Sequence, residues 1–216
     1  MSRLPARLLL VTDRHGSTLP LVRRVALALE AGARWIWLRD RDLPEGERAA
    51  LAEEVARLVR AAGGHLTIGR DIALAARVGA GGVQLGSVAA VAQARAALGP
   101  RAVIGLSAHH VAEVAAAREA GADYATLSPI FASASKPGYG PALGPAALAA
   151  AARTGLPVLA LGGVEPGTLP ACLRAGAAGV AVMGGVMRAA DPAEAVRELI
   201  GSIAREEAEA APSLQS

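Results

Sequence analysis

Aromatic side chains are nearly missing from this chain: two tryptophans, two tyrosines and one phenylalanine among 216 residues. Ala, Leu, Val and Gly must therefore fill the interior, a mixture that suits small side chains packed between helices and a parallel sheet. Cysteine occurs once, at Cys172, which excludes an internal disulfide and a cysteine-based metal cluster. A buried place on a helix is expected for it. Lysine also occurs once, at Lys136, and every other basic residue apart from histidine is arginine. The formal charge of +3 comes without a Lys/Arg run or an aromatic platform, so no nucleic-acid partner is expected. No apolar run reaches membrane-spanning length, and MSRLPARLLLVTD reads as a first strand rather than a leader. The expectation is a cytoplasmic protein with no membrane partner; nothing in the sequence sets its oligomeric state.

What is present is a regular alternation. Strands are expected at Arg7–Thr12, Arg34–Arg39, His65–Ile68, Gly82–Leu85, Ala102–Leu106, Tyr124–Ser128, Pro157–Leu161 and Gly179–Val182. Helical spacing falls between them, as with Leu51, Val55, Leu58 and Val59. EAGARW, RVGAGGV, REAGADY and LRAGAAGV each place a glycine where a left-handed cap should end a helix before a strand. Eight strands alternating with eight helices point to one α/β domain, a closed parallel (β/α)8 barrel over residues 1–206. Residues 207–216 are expected to fray. Alternation alone leaves the open, doubly wound sheet as the alternative.

In such a barrel the chemistry sits on the loops that follow the strands. Gly162-Gly163 and Gly184-Gly185 follow the last two strands, where backbone amides approach phosphate; chance is the competing explanation in a chain of 25 glycines. The long loop after strand six carries Ser133, Ser135 and the lone Lys136, a compact ammonium suited to an anion. Arg39 and Arg41 end strand two, either aimed together at an anion or paired with Asp40 and Asp42 at the surface. Arg70-Asp71 follows strand three, and Ser107 and His109 follow strand five. His109 is expected to be a structural hydrogen-bonding residue.

GLSAHH, ADYATLSPIFASASK, PVLALGGV and GAAGVAVMGGV, in that order, resemble the thiamin phosphate synthase family and its TenI-type relatives. The resemblance covers nearly the whole barrel and is strongest from Val103 to Val186. It implies a TIM barrel of thiamin metabolism that binds thiazole phosphate or thiamin phosphate. It also implies substrate-binding roles for Ser107, Ser133, Ser135, Gly163 and the Met183-Gly184 step, beside Gly162 and Gly185. Lys136 would hold pyrophosphate, with Arg39, Arg41 and Arg70 as the other catalytic cations. The departures are as informative. Trp37 stands in place of the family's glutamine, and Gly69-Arg70 and Ala89 stand at the positions of its magnesium carboxylates. Magnesium, a cofactor of the synthases, prefers carboxylate oxygens, and none is expected here unless Asp71 substitutes. A TenI-like member is therefore the first expectation and a working synthase with arginine in place of metal charge the second. The third is a non-catalytic sensor of a phosphate ligand. Pro129 stands where a thiazole tautomerase would carry its histidine.

Overall fold

The apolar runs become strands because each is buried on both faces. The computed structural model describes residues 4–40, 42–132 and 141–210. Its strands are β1 (Leu8–Val11), β2 (Trp35–Leu38), β3 (His65–Gly69), β4 (Gly82–Leu85), β5 (Val103–Ala108), β6 (Tyr124–Leu127), β7 (Val158–Leu161) and β8 (Gly179–Val182). They pair in sequence order, all parallel, and β8 closes on β1 through Leu8↔Val180, Leu9↔Ala181 and Leu10↔Val182. That pairing removes the open-sheet alternative.

Helices α1 (Leu21–Glu30), α2 (Glu45–Ala61), α3 (Ile72–Arg77), α4 (Val91–Leu98), α5 (Val111–Glu119), α6 (Gly144–Ala152) and α7 (Leu169–Arg174) form the outer layer. After β8 come α8 (Gly184–Met187) and α9 (Pro192–Ala210). The expected glycine caps are present: Gly32, Gly79, Gly121 and Gly176 all have positive φ. Each is followed by an alanine whose amide bonds back to the preceding helix, as Ala33 does to Ala28 at 3.0 Å. The helix α8 escapes sequence reading because it opens on two glycines, poor helix formers. The expected frayed tail is corrected at its start, since α9 runs through Ala210. Glu206 pairs with Arg174 at 2.8 Å and Glu207 with Arg7 at 2.9 Å, which ties this last turn to the barrel. Residues 211–216 lie outside the described residues. No helix among the described residues is long and apolar enough to cross a membrane.

Most buried side chains lie between strands and helices, while a separate cluster fills the barrel itself. Trp35, Trp37 and Tyr124 dominate that interior, so three of the five aromatics stand where volume is needed most. Trp35 and Tyr124 meet edge to face at 4.9 Å. The Tyr124 hydroxyl donates to Gln84 Oε1 at 2.5 Å, and Gln84 Nε2 donates to Ser107 and Thr126, each at 3.2 Å. Burial pushes the Tyr124 phenol well above its ordinary pKa, so it remains a neutral donor. Room for both comes from Gly105: a Cβ there would sit 2.2 Å from Tyr124 Cζ and 2.3 Å from Gln84 Oε1.

Two stability predictions follow from this interior. Gly105→Ala should cost about 1–3 kcal/mol, or ~2–12 °C in thermal unfolding, whereas Gly201→Ala in α9 should cost nothing. His65 opens β3 with its ring against Gly81 and edge-on to Trp35 at 6.1 Å. Burial pulls its pKa down to about 4, so the folded state holds it neutral. The fold keeps that contribution in full above the unfolded value of ~6.5 and loses it as pH falls toward the folded value. Denaturant midpoints measured across this window should therefore drop, and should drop less in His65→Leu than in the parent.

Candidate functional site

Two buried carboxylates organise the loops at the C-terminal ends of β1, β2 and β8. Asp40 accepts from the Thr12 hydroxyl and, at 2.8 Å, from the Arg14 amide, while Thr12 Oγ1 accepts from the Arg39 amide at 2.9 Å. Asp13 takes the Arg188 guanidinium at 2.5 Å and the His15 amide at 3.1 Å. Beneath them Arg24 is fully buried. Its Nη1 donates to the carbonyls of Asp13 at 2.8 Å and Met187 at 2.6 Å, and its Nη2 to that of Arg14 at 3.1 Å. Burial lowers the Arg24 pKa, with Asp13 and Asp40 pulling the other way. A buried cation held by three carbonyls is a clamp on those loops.

That clamp borders a cavity of about 370 Å³ above the aromatic layer, walled by the ends of β1, β2, β6, β7 and β8. Arg39, Gly162, Gly163, Met183, Gly184 and Gly185 all line it, so six of the expected site residues converge. Val11, Trp37, Leu161 and Val182 supply apolar wall, and Glu165 is the acidic side chain on the lining. Arg39 is half-buried, and among the described residues its guanidinium reaches only the Met183 thioether, at 3.9 Å.

The two glycine pairs have different reasons. Gly162 and Gly163 have φ of +93° and +62°. A Cβ on Gly163 would lie 2.4 Å from the Ala132 carbonyl, and one on Gly162 2.9 Å from Pro129 Cα. These glycines let the loop after β6 lie against β7, with the Ile130 amide on the Leu161 carbonyl at 2.9 Å and the Phe131 amide on the Gly162 carbonyl at 3.0 Å. Gly184 and Gly185 head α8, whose Val186 and Met187 amides return to the Met183 carbonyl at 3.2 and 2.8 Å. The first two amides of a helix have no such partner within it, and here both residues face the cavity.

Two expected residues stand apart from this cavity. Ser107 is half-buried at the end of β5, where its hydroxyl accepts from Gln84. Arg70 follows β3 with a left-handed backbone, φ +64°, and its guanidinium lies over Gly86. His109 Nδ1 bonds the Ser128 carbonyl at 2.8 Å. Arg41, Ser133, Ser135 and Lys136 lie outside the described residues.

Magnesium does not fit the donors present. Asp71 Oδ1 caps α3 by accepting the Leu74 amide at 2.9 Å, and its Oδ2 takes Arg48 at 2.9 Å. Gly69, Arg70 and Ala89 offer no carboxylate. Among the described residues no three His, Cys, Asp or Glu side chains gather as a cation site. Arg188, Glu165 and Trp37 are cavity residues that sequence reading missed. The alternation of Trp35, Trp37 and Arg39 along β2 and just past its end carried the signal for Trp37; Arg188 had none, because it depends on the unread α8.

Comparison with known proteins agrees with the fold. The family model for thiamine monophosphate synthase matches residues 8–186. A putative thiamine-phosphate synthase of Geobacter sulfurreducens is 38% identical over 203 residues, covering 93% of this chain and 95% of its own. The thiamine-phosphate synthase of a Roseiflexus species is 38% identical over 197 residues, 90% and 84% of the two chains. The chain also spans 43% of a bifunctional ThiM/ThiE thiamine biosynthesis protein of Symbiobacterium thermophilum, at 38% identity over 208 residues. Among solved structures, a thiamine phosphate pyrophosphorylase from Pyrococcus furiosus superposes with a TM-score of 0.82 at 28% identity, over 93% of this chain and 96% of that one. On its sequence, its barrel and these relatives, the chain belongs to the thiamine monophosphate synthase family.

Proposed function

We propose that this chain is a transferase of the synthase type, joining a hydroxymethylpyrimidine pyrophosphate to thiazole phosphate with release of pyrophosphate. The observation that carries the reading is that Gly184, Gly185 and Arg39 line one cavity. The relatives bear the synthase name, which moves the preference from the TenI-like branch to the synthase. A sensor without turnover has no observation in its favour.

In this reading the thiazole phosphate monoester sits against Gly184 and Gly185, where backbone donors and Arg39 match its charge. The apolar wall of Trp37, Leu161 and Val182 takes the thiazole ring. The pyrimidine pyrophosphate enters from the β3–β5 side, near Ser107 and Arg70. The bond from the pyrimidine methylene to the pyrophosphate oxygen breaks, and its electron pair leaves with pyrophosphate. The thiazole nitrogen lone pair forms the new carbon–nitrogen bond. What the protein must supply is positive charge fixed where the leaving group develops its own. Lys136 and Arg41 join that role by resemblance, which places Ser133 and Ser135 beside the thiazole phosphate.

The test is an assay of the purified chain with both substrates, in EDTA and in magnesium, next to Gly185→Asp. A Cβ at Gly185 meets nothing closer than Val182 Cγ1 at 3.3 Å, so the variant should fold. Its carboxylate repels the monoester and offsets charge-assisted contacts of about 1.5–3 kcal/mol. Thiazole phosphate affinity should fall by about 10- to 150-fold. Thiamin phosphate should form in the parent. Parental affinity in Gly185→Asp would refute the site, and absence of product under both conditions would refute the transferase.

A further inference from the structure

We propose that the β3–β4 edge of the barrel mouth binds a pyrophosphate group through the guanidinium of Arg70, without a divalent cation. Arg70 is the non-glycine residue with positive φ among the described residues, at +64°. L-residues rarely hold that conformation, and a persistent case is imposed by its surroundings. Here the Arg70 amide donates to the Gln84 carbonyl at 2.8 Å, while the next residue is fixed as the cap of α3. Between those two anchors the backbone has one way through. The side chain is thereby thrown across the end of β4 onto Gly86, where a Cβ would come within 2.8 Å of Nη2 and 2.9 Å of Cζ. Gly86 is the surface on which the guanidinium rests.

The charge held there is uncompensated. Among the described residues the Arg70 guanidinium makes no hydrogen bond or ion pair, and the residue is exposed. The nearest carboxylate in sequence, Asp71, is committed to the Leu74 amide and to Arg48. A second donor stands at the neighbouring seam. Trp37 is only 7% exposed, and its indole N–H has no acceptor. That nitrogen lies 3.0 Å from where a Cβ of Gly69 would be. Buried donors are nearly always satisfied, so an orphan indole on the β2–β3 seam that Arg70 follows, like the unpaired guanidinium itself, fits an anion as its partner.

A magnesium ion would need oxygen ligands, and this edge presents nitrogen donors. A guanidinium does the same neutralising work directly, its fork spanning two phosphate oxygens with fixed geometry. A pyrophosphate matches the donor set better than a monoester because it presents oxygens on two phosphorus atoms. The inference rests on the proposed function and extends it to its leaving group through Arg70, which the monoester site does not use.

The test is calorimetric titration of the full chain with inorganic pyrophosphate, in EDTA and again with magnesium. The expected result is binding in EDTA that magnesium does not tighten. Arg70→Gly should weaken it by about 10- to 150-fold, the range of a lost charge-assisted contact. Its melting temperature should not fall, because glycine accepts positive φ without penalty. The same variant should keep parental affinity for thiazole phosphate, so a failure of the monoester site shows in Gly185→Asp and leaves this result untouched. Pyrophosphate binding that requires magnesium, no binding in EDTA, or an Arg70→Gly protein that binds like the parent would each overturn the proposal.

Discussion

A closed barrel of eight short strands encloses a space that its own side chains must fill, and this chain fills it with very few large residues. Trp35, Trp37 and Tyr124 supply the bulk, and Gln84 anchors them by accepting from the Tyr124 hydroxyl. Glycine at position 105 is the other half of the arrangement, since any side chain there would displace both Tyr124 and Gln84. Trp37 belongs to that layer and also lines the cavity, so the packed interior bounds the open mouth. The cavity is therefore a consequence of how the interior is packed. Overfilling that layer and blocking the site are the same physical event seen from two sides.

The mouth is organised by the division of labour among its charges. Asp13 and Asp40 are buried and committed to loop amides, hydroxyls and Arg188, while Arg24 clamps three carbonyls from below. Those groups set the shape of the loops. Arg39 and Arg70 are the contrast, held in place by their backbones but without carboxylate partners among the described residues. A surface that neutralises its carboxylates internally and leaves guanidinium groups outward is built for anions. The arginine bias of the whole chain makes this reading consistent with the missing magnesium ligands, since charge that metal would bring is present as fixed cation.

Much of this was legible in the sequence, and the residues show why the rest was not. The caps at Gly32, Gly79, Gly121 and Gly176 could be read because a helix end needs a left-handed residue wherever it occurs, a local requirement. Gly162-Gly163 was read at the right place with an incomplete reason. Its glycines answer to Pro129 and Ala132, some thirty residues earlier in the chain, and no local pattern shows that contact. Arg70 was visible as a cation, but its left-handed backbone depends on the Asp71 cap and the Gln84 carbonyl together. Arg188 joined the cavity only through α8, whose two glycines hide it from propensity. Tertiary contacts thus decided the parts that periodicity could not.

The central claim is that one mouth holds two anions in separate places by protein donors alone. It is met most directly by a crystal structure of the protein with thiazole phosphate and inorganic pyrophosphate, grown in metal-free solution. The account predicts the monoester within hydrogen-bond distance, about 2.7–3.2 Å, of the Gly184 and Gly185 amides, and pyrophosphate oxygens on the Arg70 guanidinium. A monoester bound away from those amides, or pyrophosphate ordered only after magnesium is added, would contradict it.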